Sequence, residues 1–462
     1  MTDNSLELDN LSIAKLIEKY NTPVPRYTSY PTALEWSTDF DETQFFAALK
    51  NLKDDKPMSV YIHVPFCENR CLFCGCNVLV SKKREIANVY LDYLLDEIRQ
   101  KVEHLSFKPR ISQLHFGGGT PNYLTIDQWE RLVSVIKELF ILEDDIEWSI
   151  ELDPMMLSES YLDKLKETGV NRVSFGIQDV NEKTQQAVNR PQKLDHINSL
   201  VDYCRKLNFD SVNIDLIYGL PYQTLDSYQE NIKWITEYKP DRIALFSYAH
   251  IPWIKHHQKR MPLEALTTAE EKLRIYLGVQ KALKKNSYKQ IGMDHFALPD
   301  DPMSLAQKDH SLHRNFMGYT TKADLPMLAF GASAISEVSG IFTQNHNKLK
   351  AYKSSISEKR DYFEKGLTRS EDDTRRSEVI QSIMNNFYLN FKEYEKKWNL
   401  NFVERYKNEL LKMKQFEEEQ LVTFNETELY VTEKGKYVLR HIASAFDVYR
   451  KAGEQKGFSK GI

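Results

Sequence analysis

Four of the five cysteines fall between Cys67 and Cys76, in the run His-Val-Pro-Phe-Cys-Glu-Asn-Arg-Cys-Leu-Phe-Cys-Gly-Cys. So dense a set in a chain of 462 residues is unlike a dispersed disulfide framework and points to a metal or cluster site. Cys67, Cys71 and Cys74 stand four and three residues apart, a spacing at which three thiolates can hold three irons of a cubane. The fourth iron then keeps an open position that a small molecule carrying an amine and a carboxylate can chelate. A structural zinc knuckle is the competing reading, but it needs four ligands, usually as two separated pairs. Here the fourth candidate, Cys76, lies only two residues past Cys74, which favours the cluster. Cys76 is then either a small thiol beside the cluster or a group that positions substrate or modulates the metal. Cys204, in Val-Asp-Tyr-Cys-Arg, reads as a core residue on an amphipathic helix.

A glycine run, Gly117-Gly118-Gly119-Thr120-Pro121, is the second feature; glycines let backbone amides and carbonyls approach a ligand closely. Glu151 and Asp215 suit ribose hydroxyls or the surroundings of a sulfonium, although each could instead cap the helix that follows. Positioning these groups falls to a repeating pattern that begins at Ser59. Short β-rich runs at 59–64, 112–116, 146–152, 172–177, 212–217 and 242–247 alternate with helical runs near 86–103, 126–140, 159–168, 195–207 and 226–238. This is the signature of βαβ units with parallel strands. Six such strands predict an α/β fold, an incomplete (β/α)6 barrel. The chemistry-bearing residues all sit at or just past a strand end: the cysteine loop, the glycine run, Glu151 with Asp153, Gln178 with Asp179, Asp215 with Tyr218-Gly219, and Tyr248-Ala249-His250. That is the rim on which a barrel builds its active site. His63, two residues past Tyr61, is expected on the same face of its strand, near the cluster or as a hydrogen-bonded core histidine.

The flanking segments differ in character. Residues 1–55 carry an amphipathic start and then Pro-Val-Pro-Arg-Tyr-Thr-Ser-Tyr-Pro, an extended arm expected to cover the active site. Residues 56–365 form the catalytic domain of this reading. Residues 366–462 turn charged and helical and end in a strand pair plus helix, a small winged-helix-like domain. Lys plus Arg total 62 against 66 Asp plus Glu, and this balance with the acidic run Glu417-Glu418-Glu419 argues against nucleic acid as a partner. The start is polar and no run of roughly 18 apolar residues occurs, so a cytoplasmic protein without a membrane partner is expected.

Longer segments are more specific. Tyr-Ile-His-Val-Pro-Phe-Cys from Tyr61, the glycine motif, Ser-Ile-Glu-Leu-Asp-Pro from Ser149, Gly-Ile-Gln-Asp from Gly176, Asn-Ile-Asp-Leu from Asn213 and His-Arg-Asn-Phe from His313 together resemble the oxygen-independent coproporphyrinogen III oxidase family. The resemblance runs from about residue 20 to 450. Haem-chaperone relatives on the same scaffold lack the Cys-Gly-Cys ending, the long arm and the His-Arg-Asn-Phe segment, all present here. A different anaerobic tetrapyrrole-modifying radical S-adenosylmethionine (SAM) enzyme is the other alternative.

The resemblance implies one [4Fe-4S] cluster on Cys67, Cys71 and Cys74, with SAM on the open iron touched by Tyr61, Gly118 and Glu151. It also implies a second SAM near Phe73, Gly119, Thr120, Gln178, Arg190, Asp215, Ala249 and Ile335. Tyr61, His63 and Cys76 are the candidates closest to the chemistry. That chemistry is the conversion of two propionates of coproporphyrinogen III to vinyl groups by 5′-deoxyadenosyl radicals, giving protoporphyrinogen IX, with an external one-electron donor such as a flavodoxin or ferredoxin. A monomer is expected. Four substrate carboxylates call for cations at the pocket mouth, for which Arg26, His313 and Arg314 are the candidates.

Overall fold

A computed structural model describes residues 15–16, 18–450 and 458. Six strands carry the core: β1 Met58–Val64, β2 Arg110–Gly118, β3 Ile141–Leu152, β4 Arg172–Gln178, β5 Ser211–Tyr218 and β6 Arg242–Ser247. Between them run α1 Ile86–Val102, α2 Ile126–Leu139, α3 Glu159–Thr168, α4 Leu194–Lys206 and α5 Leu225–Tyr238, close to the bounds expected from periodicity. Every neighbouring pair from β1–β2 to β5–β6 is parallel, as strands joined by crossover helices require. Local chemistry starts these helices: Thr125 caps α2 in a reciprocal box with Gln128, and Thr224 caps α5 with Ser227. In β1, Val60, Ile62 and Val64 are fully buried in the main core, which turns Tyr61 and His63 to the opposite face of the strand.

The barrel does not close. On one edge β6 pairs antiparallel with β8 His295–Ala297, which pairs with β7 Lys289–Ile291; α6 Ala269–Lys285 precedes both. On the other edge β1 pairs in parallel with β9 Met327–Phe330, followed by the antiparallel β10 Ile335–Val338, β11 Ile341–Asn345 and β12 Phe363–Thr368. The sheet therefore has 12 strands rather than six. The added strands are three to six residues long, too short to show a clear period-2 pattern.

A second core unites the arm with the C-terminal part. Tyr20, Val24, Tyr27 and Tyr30 pack with Val379, Ile383, Phe402, Leu429 and Phe446. Polar contacts tie the same segments: Tyr27 donates to Asp447 at 3.0 Å, Gln381 donates to Tyr27 O at 2.8 Å and Val448 N–H donates to Tyr30 Oη at 3.1 Å. The C-terminal part holds a three-stranded antiparallel sheet of Tyr388–Asn390, Glu428–Val431 and Val422–Phe424. The rest of the arm turns to the main core, where the helix Thr43–Asn51 buries Phe45 and Leu49. No described helix is long and apolar enough to cross a membrane.

Candidate active site

The cysteine loop leaves β1 and is tied down from two directions. Leu72 N–H donates to Val188 O at 2.9 Å, and Asn189 Nδ2 donates to Arg70 O at 2.9 Å. From the segment beyond β6, His257 Nε2 lies 2.8 Å from Cys74 O, Gln258 Nε2 donates to Phe73 O at 3.2 Å and Lys255 donates to Cys76 O at 3.3 Å. Nothing in the sequence marks His257, Gln258 or Lys255 as functional; their partners are main-chain carbonyls more than 170 positions away.

The three spaced thiols sense one another electrostatically. Burial, then the neighbouring Cys74 and Cys71, pushes the Cys67 thiol up to about 12. Burial also raises Cys71, against which Arg190 works. Such a trio can ionise together only around a positive centre. Among the described residues no three His, Cys, Asp or Glu side chains are arranged to hold a single metal ion. A cubane places each thiolate on a different iron, so its ligands need not meet at a point, and the donor set fits the cluster. Cys76 is exposed; its N–H lies 3.4 Å from Cys74 Sγ.

Arg190 is held beside the loop by geometry that spacing alone does not reveal. Its Nε and Nη2 donate to Gly176 O at 3.1 and 2.7 Å. Its Nη1 reaches Cys71 Sγ at 3.3 Å and Asp153 Oδ2 at 3.2 Å. A guanidinium fork anchored on a carbonyl thus points its charge at a thiolate position.

Inside the barrel mouth, Tyr61 Oη lies 3.0 Å from His63 Nδ1, and His63 Nε2 lies 3.2 Å from Asn77 O at the exit of the cysteine loop. Burial lowers the His63 pKa, and a neutral ring with its proton on Nε2 satisfies both contacts. His115, overlooked at the sequence level, stacks on Tyr61 at 5.8 Å and places Nε2 3.3 Å from Glu151 Oε1. Burial opposes the Glu151 charge, yet His115 and the Gly118 N–H, 3.3 Å from Oε2, hold its pKa below the ordinary value. Asp215 accepts from Asn213 Nδ2 at 2.8 Å and from Ser174 Oγ at 3.3 Å. Burial and then the Glu151 charge push it up to about 7. Neither carboxylate caps a helix.

The glycines are demanded by crowding within the protein. A Cβ on Gly117 would stand 2.8 Å from Glu151 Oε2, one on Gly118 2.7 Å from the His63 ring, and one on Gly119 2.5 Å from Phe66 O. Gly118 also has φ +118°, a region closed to most side chains. Thr120 is buried, and its Oγ1 accepts from Asp153 N–H at 3.0 Å. Gln178 adopts φ +70° at the end of β4, a conformation that turns up at functional sites. Ala249 O accepts from Gln258 Nε2 at 3.2 Å, and Ile335 opens β10, just past the end of β9.

The substrate candidates separate. Arg26 pairs with Asp294, and Arg314, whose Nη1 lies 3.3 Å from Tyr319 Oη, acts on the same carboxylate and helps hold it well below its usual range. His313, its neighbour on a strand, instead feels Asp324, Lys397 and Glu378. Strand alternation explains the split, which motif reading alone does not resolve.

Residues 61–235 match the radical SAM superfamily. The oxygen-independent coproporphyrinogen III oxidases of Synechocystis sp. and of Escherichia coli K12 are each 41% identical to this chain, over 97% of it and 98% of their own length. A solved structure of E. coli coproporphyrinogen III oxidase (HemN), described as a radical SAM enzyme, superposes with a TM-score of 0.90 at 39% identity, covering 95% of this chain and 99% of that one.

Proposed function

The chain belongs to the family of oxygen-independent coproporphyrinogen III oxidases, and from that premise we propose how its residues oxidise coproporphyrinogen III in porphyrin biosynthesis. Cys67, Cys71 and Cys74 would hold one [4Fe-4S] cluster and leave it able to bind SAM. When bound, cluster and SAM would supply the radical hydrogen-abstraction chemistry by which a propionate loses carbon dioxide and becomes a vinyl group, the electron left over passing to a one-electron acceptor. Two of the four propionates react, giving protoporphyrinogen IX.

The chain's own groups prepare this step. Glu151, kept ionised by His115 and the Gly118 N–H, offers negative charge to a cationic sulfonium from the barrel interior. Tyr61 and Gly118 complete that side, with His63 orienting the tyrosine hydroxyl. Phe73, Gly119, Thr120, Gln178, Arg190, Asp215, Ala249 and Ile335 are the residues that would hold a second SAM. Arg190 stabilises the Cys71 thiolate through its N–H. The arm and the C-terminal unit would enclose the reacting groups, keeping a carbon radical from competing C–H and S–H donors. A flavodoxin or ferredoxin delivers the electron, and the enzyme works as a monomer.

The observation that carries this reading is the convergence of the three-cysteine loop, the Arg190–Cys71 contact and the carboxylates Glu151 and Asp215 on the one rim where the strands end. The deciding assay incubates anaerobically reconstituted protein with SAM, a low-potential reductant and coproporphyrinogen III. The expected result is protoporphyrinogen IX with two carbon dioxide released per macrocycle. Tight haem binding without product would identify a chaperone, and a methylated tetrapyrrole a methyltransferase; either would end the proposal.

A further inference from the structure

A cavity of about 860 Å³ lies where the ends of β5 and β6 meet α6, the N-terminal arm and the C-terminal unit. Its size falls within the roughly 300–1,000 Å³ usual for small-molecule sites. Arg26, Lys272, Lys436 and Arg440 are in its wall, and Asp294 is the one acidic residue among the described residues that line it. Tyr218, Trp253 and Tyr276 add broad aromatic faces. Ala249 connects the cavity to the cysteine loop: the Gln258 side-chain amide that donates to Ala249 O also donates to Phe73 O, each at 3.2 Å.

The cations are gathered from remote parts of the chain. Lys272, on α6, donates to Tyr248 O at 3.1 Å and lies 5.9 Å from the Tyr218 ring centre. Arg440 is buried and donates to the arm carbonyls of Val24 and Pro25. Burial, then the charge of Arg26, pushes Arg440 down to about 9. The charge of Arg26 thus counts against that of Arg440 in this wall, and an anion held among these cations offsets it. Arg26 keeps its Asp294 partner and still has donors to spare, because a guanidinium carries five N–H groups.

We propose that this cavity is the carboxylate-recognition subsite for the tetrapyrrole, with Lys272, Arg26 and Arg440 gripping the two propionates that survive the reaction. The inference rests on the functional reading above. Propionates that lose carbon dioxide must reach the cysteine loop, which the cavity adjoins but does not include. Those that stay charged from substrate to product need counter-ions throughout, and a cationic cavity one hydrogen-bonded side chain away from the loop supplies them.

The test titrates reconstituted holoenzyme with coproporphyrin III, the aromatic tetra-acid, and with its tetramethyl ester, following porphyrin fluorescence. Wild type is expected to prefer the acid, more strongly at low salt. Lys272→Met should weaken acid binding roughly tenfold, the effect of losing one charge-assisted hydrogen bond. It should leave ester binding within about twofold, and Lys272→Arg should restore the acid. Arg26→Gln, which leaves Asp294 its His295 partner, is the parallel variant if Lys272→Met does not fold. Equal acid binding by wild type and both charge-removing variants, or proportional loss of acid and ester, overturns the subsite. Product formation by wild type with an unchanged KM for coproporphyrinogen III in Lys272→Met also sinks the subsite alone. A wild-type enzyme that makes no product sinks the functional reading itself.

Discussion

Replacing Gly118 with alanine tests whether the glycine run is shaped by the protein's own packing. An alanine at φ +118° is strained by about 1–3 kcal/mol. The new Cβ would also lie 2.7 Å from His63 Cε1 and 2.8 Å from Nδ1, so the imidazole must move. Moving it gives up the 3.0 Å contact to Tyr61 and the 3.2 Å contact to Asn77 O, each worth about 1 kcal/mol. Together these disfavour the native loop by about 3–5 kcal/mol, enough to make it a minor conformer unless neighbouring contacts hold it. Because Asn77 follows Cys76, the disturbance reaches the exit of the cysteine loop. Gly75 is the internal control, since a Cβ there meets nothing within 4 Å. The assay measures iron and sulfide after anaerobic reconstitution, with SAM affinity by equilibrium dialysis. Gly118→Ala should lose most of both, whereas Gly75→Ala should match wild type. If Gly118→Ala held a full complement of iron and bound SAM within about twofold of wild type, the crowding argument would be wrong.

Asp215 gives a pH test: its folded pKa, about 7, exceeds the starting value of 3.8, so ionising it costs stability. The apo protein should lose stability as pH rises through roughly 4 to 7, and Asp215→Asn should remove that part of the slope in urea melts. SAM affinity should rise over the same titration as the carboxylate charges, and stay flat in Asp215→Asn; an identical profile in the variant contradicts the assignment. Lys101 and Glu97 form a fully buried ion pair at 2.7 Å, and Glu97 also accepts from Gly331 N–H, Asn345 and Tyr352. Lys101→Met, which strands that carboxylate, should destabilise by about 3–5 kcal/mol in denaturant titrations, and a loss below about 1 kcal/mol would count against the network. Arg190→Gln removes the charge beside Cys71 and should shift the cluster midpoint potential downward in an EPR-monitored redox titration; an upward shift would reverse the proposed role of that contact.

Some of this protein is written locally. The four-and-three spacing of Cys67, Cys71 and Cys74, the period-2 strands and the capped amphipathic helices are short-range properties, and all six expected strands are present as β1 to β6, although β3 begins at Ile141, five residues earlier than its pattern suggests. Because parallel βαβ units leave every strand's C-terminal end on one side, the rim that carries Glu151, Asp215 and the glycine run is also readable from order alone. What needed the tertiary structure depends on contacts between distant parts of the chain. The fork of Arg190 on Cys71, the clamp of His257 and Gln258, the opposite surroundings of His313 and Arg314, and the cationic cavity shared by Arg26, Lys272 and Arg440 are of this kind. None has a periodicity or a spacing, since each is set by which surfaces the packed sheet and the second core bring together.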